Sequence, residues 1–87
     1  MKTIWKWDIE REVKLEMPDE SKILCIKTQG GRPMIWAMVD TDKPRVHRTF
    51  CIYGTGFNIP DNPGDYVGTF LVDNDTFVFH VFEVTSN

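Results

Sequence analysis

The chain reads as an all-β domain, a small antiparallel sandwich or partly open barrel of six to seven short strands. Three observations predict this. Apolar and polar residues alternate at period two over much of the chain, which is the pattern of a strand with one wet face. Turn-forming residues punctuate these runs, as in Pro18-Asp19-Glu20-Ser21, Gln29-Gly30-Gly31-Arg32-Pro33 and Asp73-Asn74-Asp75. No stretch carries a convincing helical period, and the runs are rich in Val, Ile, Thr and aromatic residues. Short strands joined by tight turns build sandwiches and small barrels.

Taken in order, Thr3 to Ile9 places Thr3, Trp5, Trp7 and Ile9 on one side and Ile4, Lys6 and Asp8 on the other. Glu12 to Met17 alternates as cleanly, with Val13, Leu15 and Met17 opposite Glu12, Lys14 and Glu16. These two runs can form a hairpin about Glu10-Arg11 or one long bent strand; a helix over 8–17 fits the alternation least. After the Pro18–Ser21 turn, Lys22 to Thr28 is apolar on both faces and predicts an interior strand. Gly30-Gly31 supplies the turn, Pro33 is expected to end pairing there, and Met34 to Asp40 returns as a second doubly buried strand. Asp40–Pro44 is a polar loop, and Arg45 to Tyr53 is the next strand.

The interval Gly54–Tyr66 has neither period and holds three of the six glycines and two of the five prolines. It predicts a stiff crossover loop. Tyr66 to Val72 is a strand whose Gly68 implies a bulge or a close backbone approach. Asp73-Asn74-Asp75 predicts a three-residue hairpin turn, Thr76 to Val84 a mid-sheet strand, and Thr85-Ser86-Asn87 a frayed tail.

Eighty-seven residues with no linker and no internal repeat make a single domain, 1–87. Three Trp, six Phe and two Tyr are a heavy aromatic load for this length. Each ring can bury about 150–250 Å², which serves a small core and also supplies interface residues. The net charge of −3, with acidic residues interleaved among Lys and Arg, argues against nucleic-acid binding. No apolar run approaches membrane-spanning length and Met1–Asp8 lacks a signal-peptide core, so the expected compartment is the cytoplasm, without membrane contact. There, Cys25 and Cys51 are expected to be free thiols, and two cysteines with two distant histidines do not make a zinc site.

From Lys22 onward the order of features resembles a family of short bacteriophage and prophage proteins. The residues that carry the likeness are Ile23-Leu24, Gln29, Pro33, Trp36-Ala37-Met38-Val39-Asp40, Arg48-Thr49-Phe50, Gly54-Thr55-Gly56, Ile59-Pro60-Asp61, Gly68-Thr69-Phe70 and Phe77 to Glu83. The resemblance covers about three quarters of the chain and implies an accessory protein working inside a bacterial cell. It transfers no activity. It implies that Phe57 stands where such proteins often carry His, so no catalytic role comes with that position.

Several constellations could carry chemistry, each beside a plainer reading. Gly54-Thr55-Gly56 could form an anion nest, but no helix follows, and a glycine-rich turn explains it as well. Asn58, Asp61, Asn62 and Asp65 lack the spacing of a calcium loop and match turn chemistry. His80 lies in the most apolar strand with no orienting carboxylate nearby in sequence. Lys43, Arg45, His47 and Arg48 form the one basic cluster, fit for a phosphate or an acidic partner, or for guarding a strand edge. Trp5 and Trp7 serve the core or a subunit interface.

The expected function is a small non-enzymatic binding module, a phage or prophage accessory protein acting on a host or phage macromolecule, with homo-oligomer formation expected. Its partner-contacting candidates are Arg45, His47, Arg48, Gly54, Thr55, Gly56, Phe57 and Ile59, with Trp5 and Trp7 as interface candidates. No cofactor, metal or catalytic residue is expected. Two alternatives stay open: a binder of a small anionic ligand such as a nucleotide, and a virion or assembly component.

Overall fold

The computed structural model describes residues 1–10 and 12–85. The described residues form seven strands and no helix: β1 (Lys2–Asp8), β2 (Glu12–Pro18), β3 (Lys22–Gln29), β4 (Arg32–Asp40), β5 (Arg45–Gly54), β6 (Asp65–Val72) and β7 (Phe77–Glu83). All pairings are antiparallel. A three-stranded sheet has the order β1-β4-β3 and a four-stranded sheet the order β2-β5-β7-β6. The sheets do not close into a barrel, so of the two expected architectures the sandwich is the one formed.

Alternation decides what enters the space between the sheets. Ile26 and Ile35 come from one sheet, Leu15, Met17, Phe50, Phe70 and Val81 from the other, and Ile9 from the link between them; all are buried. Phe50, Met17, Ile35 and Val81 have no exposed surface. The partly buried residues packed on this core, Trp7, Val13, Ile23, Ile52, Val67, Val72 and Phe79, extend it toward its margins.

The N-terminal strands do not form a hairpin. β1 pairs with β4 from Lys2↔Asp40 to Asp8↔Met34, whereas β2 pairs with β5 from Glu12↔Cys51 to Pro18↔Arg45. The chain changes sheets between Asp8 and Glu12, and Ile9 anchors the crossing by donating its N–H to the Pro33 carbonyl at 3.2 Å. The physical reason is burial. A hairpin would set the Trp5–Trp7–Ile9 stripe and the Val13–Leu15–Met17 stripe side by side in one layer. The crossing lets the two stripes cover opposite sides of one core. Arg11 of the expected turn lies outside the described residues.

Two further expectations need correction. β3 is an edge strand and not an interior one. A register shift between Ile23 and Cys25 turns Leu24 outward, where it is exposed, and leaves Cys25 half-buried. Pro33 does not end pairing; it stands opposite Thr28 inside the β3–β4 ladder. Its missing N–H falls on the β1 side, where β1 is about to leave the sheet, so the β3–β4 ladder loses no bond. The β3–β4 hairpin itself forms as expected, with Gly30 and Gly31 both at positive φ, 59° and 78°.

β7 lies mid-sheet as its sequence predicts, and Gly68 lies at a bulge in β6. A side chain at Gly68 would meet Ile26 Cγ1 at 3.0 Å, so glycine lets the β6 backbone approach β3. The β6–β7 turn is one residue longer than expected. Val72 faces Phe77 across it, and Asp73, Asn74 and Asp75 all adopt left-handed φ, which Asp and Asn tolerate better than most residues. The loop from Thr55 to Gly64 carries the chain past β7, because β7 separates β5 from β6. Cys25 and Cys51 are free thiols in different sheets. Ser86 and Asn87 of the expected tail lie outside the described residues.

Candidate partner-binding pocket

Gly54, Thr55, Gly56 and Phe57 form one tight turn. The Phe57 N–H bonds the Gly54 carbonyl at 3.1 Å, with Gly56 at φ 87°. The Thr55 N–H bonds the Val78 carbonyl at 3.0 Å. Two of the three amides an anion nest would offer are therefore already spent on carbonyls. The turn instead folds the Phe57 ring back over Gly54. A side chain at Gly54 would sit 3.2 Å from Phe57 Cδ1, so glycine makes the room the ring occupies.

Beneath that ring the sandwich is open. An apolar pocket of about 320 Å³ enters between the sheets. Ile9 and Pro33 form one wall, Ile52, Phe70 and Phe79 the other, and Phe57 stands at the mouth. Glu10 is the one ionisable side chain among its described lining residues. Phe70 and Phe79 are stacked, ring centroids 5.5 Å apart, and Phe77 leans on Phe79 at 6.5 Å. Phe57 at the mouth is exposed by 67%, and Phe77 beside it is exposed as well. Such a volume lies at the small end of ligand pockets, which run from roughly 300 Å³ upward.

The basic candidates do not converge. Arg48 turns toward Glu83: its Nε and NH2 groups donate to the two carboxylate oxygens at 2.6 and 2.7 Å, and its third nitrogen donates to the Ser21 carbonyl at 2.6 Å. The Glu83 hydrogen bond holds the Arg48 pKa above the usual guanidinium value against the opposing effect of burial. Arg45 lies over Trp5, 5.1 Å from the ring centroid. His47 faces Glu16 across the β2–β5 ladder at 3.7 Å. Lys43 pairs with Glu20 at 2.9 Å.

His80 is held from both sides. Its Nε2 meets Thr55 Oγ1 at 2.7 Å and its Nδ1 meets Thr69 Oγ1 at 3.0 Å; Thr69 in turn meets the Tyr66 hydroxyl. Thr55 also donates to the Val78 carbonyl at 3.3 Å. One donor order satisfies every group: Tyr66 to Thr69, Thr69 to Nδ1, Nε2–H to Thr55, and Thr55 to Val78. That chain assigns the Nε2–H tautomer and ties the crossover loop to β7 and β6. Trp5 and Trp7 are half-buried, edge to face at 6.1 Å.

The structure thus brings Gly54 and Phe57 to one mouth, with Thr55 and Gly56 in the same turn and Ile59 exposed farther along the loop. It sends Arg45, His47 and Arg48 to separate partners. Sequence reasoning missed Ile9, Pro33, Ile52, Phe70 and Phe79 as pocket walls. In sequence Pro33 reads as a turn residue and the others as strand positions, and nothing in a periodic pattern says which end of a core is left open. Among the described residues, no helix is long and apolar enough to cross a membrane. Residues 1–87 match a family described as a domain of unknown function (DUF7352). No curated protein and no solved structure matches the chain.

Proposed function

Since the chain belongs to the DUF7352 family, which brings no activity with it, we propose from geometry that it is a non-enzymatic binding module. In this reading the mouth of the sandwich takes an apolar side chain of a protein partner. The observation that carries it is the pocket behind Phe57, with apolar walls, exposed Phe57 at its mouth and exposed Phe77 beside it. A pocket for one side chain, flanked by further apolar surface, is the form of an interface hot spot. A small metabolite would fill the pocket and leave that surface uncovered. Glu10 as the one ionisable lining residue described supports a binding role over a catalytic one.

The test is a titration of the isotope-labelled protein with N-acetyl amides of Phe, Leu and Lys, followed by amide NMR. The expected result is saturable shifts confined to Ile9, Ile52, Gly54, Phe57 and Phe79 with the Phe and Leu probes and none with Lys. Shifts absent for all three probes, or scattered over both sheets, would sink the reading. That the partner is a host or phage macromolecule rests on the sequence resemblance. The neighbours of the gene test it: an early accessory cluster favours host interference, and a late structural operon favours the assembly alternative.

A further inference from the structure

We propose that β1 pairs with β1 of a second copy of this chain, antiparallel and centred on Trp5, to join two three-stranded sheets into one six-stranded sheet. The inference does not depend on the pocket, since no residue of β1 lines it.

It starts from the edges. The β3 and β6 edges are interrupted by register shifts at Ile23/Cys25 and Tyr66/Gly68. They also lean on each other, with Thr28 Oγ1 donating to the Leu71 carbonyl at 2.9 Å. β2 ends in Pro18 and carries the charged series Glu12, Lys14, Glu16. These are the usual guards against edge pairing. β1 has neither bulge nor proline, and its register with β4 is unbroken from Lys2 to Asp8. Its two tryptophans remain partly exposed.

Hydrogen-bond parity, full overlap and charge then select the register. The Ile9 N–H bonds Pro33 and the Thr41 N–H bonds the Met1 carbonyl, so odd-numbered positions bond toward β4. Lys2, Ile4, Lys6 and Asp8 therefore point their N–H and C=O groups outward. No backbone or side-chain hydrogen bond reaches those groups among the described residues. A two-fold antiparallel pair must match even with even. The pairing centred on Trp5 does so over the whole strand: Lys2 meets the second copy's Asp8, and Ile4 meets its Lys6. Trp5 meets the other Trp5 at a non-hydrogen-bonded position, where facing side chains come closest.

Charge supports a second copy as the occupant. Lys2, with no carboxylate within ion-pair distance among the described residues, gains Asp8, whose present partner is the exposed Arg32 at 3.1 Å. Ile4, 57% exposed, gains the aliphatic stem of Lys6. Lys2, which would repel a generic cationic strand, thus becomes complementary in this register.

Sedimentation of the full chain is expected to show a dimer. Lys2→Asp alone sets a carboxylate against the second copy's Asp8, and Asp8→Lys alone sets lysine against lysine. Each variant should therefore sediment as a monomer with an unchanged circular dichroism spectrum. Mixed in equal amounts they should form a heterodimer, because each then faces its opposite charge. Ile4→Pro, which removes an outward N–H and leaves the β4 ladder intact, should also be monomeric. A wild-type monomer at about 1 mM overturns the proposal. So does a dimer that survives both charge reversals and Ile4→Pro, since another face would then hold it.

Discussion

Among single residues, Gly64 and Arg48 are the positions where substitution should cost most outside the core. Gly64 has φ 100°, and a side chain there would overlap the Glu83 carbonyl oxygen of the β7 backbone. Gly64→Ala is therefore expected to lower the melting temperature by about 10 °C or more, using the conversion of roughly 4–8 °C per kcal/mol for domains of this size. Gly30→Ala is the control. It has positive φ but nothing within 4 Å, so only left-handed strain of roughly 1 kcal/mol is at stake. Thermal unfolding of the two variants separates clash from strain. Arg48 joins β5, β7 and the β2–β3 turn through one guanidinium, and both members of its ion pair are about four-fifths buried. Arg48→Ala strands the Glu83 carboxylate and is expected to cost about 2–3 kcal/mol in urea unfolding. Arg48→Met with Glu83→Leu should cost less than Arg48→Ala alone. Because the Arg48 pKa is raised on folding, its contribution is present throughout the ordinary pH range and is lost only above the usual arginine titration.

Among the elements, the crossover loop separates stability from function most cleanly. Phe57 is mostly exposed, whereas Phe79 packs on the core and stacks on Phe70. Phe57→Ala should change stability by under about 1 kcal/mol while weakening the N-acetyl-Phe-amide titration several-fold. Phe79→Ala should cost about 3 kcal/mol or more. The β6–β7 turn makes the opposite prediction. Asn74 is left-handed at φ 54°, between two other left-handed residues, so Asn74→Gly should be neutral or stabilising by a few tenths of a kcal/mol, read in the same urea experiment. That this interval is a loop was legible in Pro60, Pro63 and its glycines. Its path past β7 was not, because sequence order carries no record of which strand is inserted between two others.

Over the whole molecule, the three tryptophans all lie in the three-stranded sheet, Trp5 and Trp7 in β1 and Trp36 in β4. Tryptophan fluorescence thus reports one sheet, while far-ultraviolet circular dichroism reports both. The single core between the sheets predicts coincident urea transitions by the two probes; separated midpoints would mean that the sheets unfold independently. Only β3–β4 and β6–β7 are local hairpins. The other pairings are non-local, so folding in milliseconds to seconds is expected by stopped flow. Much of this architecture is legible in the chain alone. Period-two alternation follows from strand geometry, so it suffices to show that the chain is all-β, where the strands run within about two residues, and which face of β1, β2 and β5 is buried. The β3–β4 hairpin is equally local, since Gly30-Gly31 admits the required positive φ. How these faces are paired is not legible in this way. β1 and β2 part into different sheets because two apolar stripes need each other as cover, and alternation is the same whichever partner supplies it. For the same reason Arg48 reads as one member of a basic cluster until Glu83, 35 residues away, is brought against it. The pocket behind Phe57 is likewise tertiary. Apart from Pro33 and Gly54 its apolar walls are core residues, and only the packing of the two sheets leaves them facing an opening.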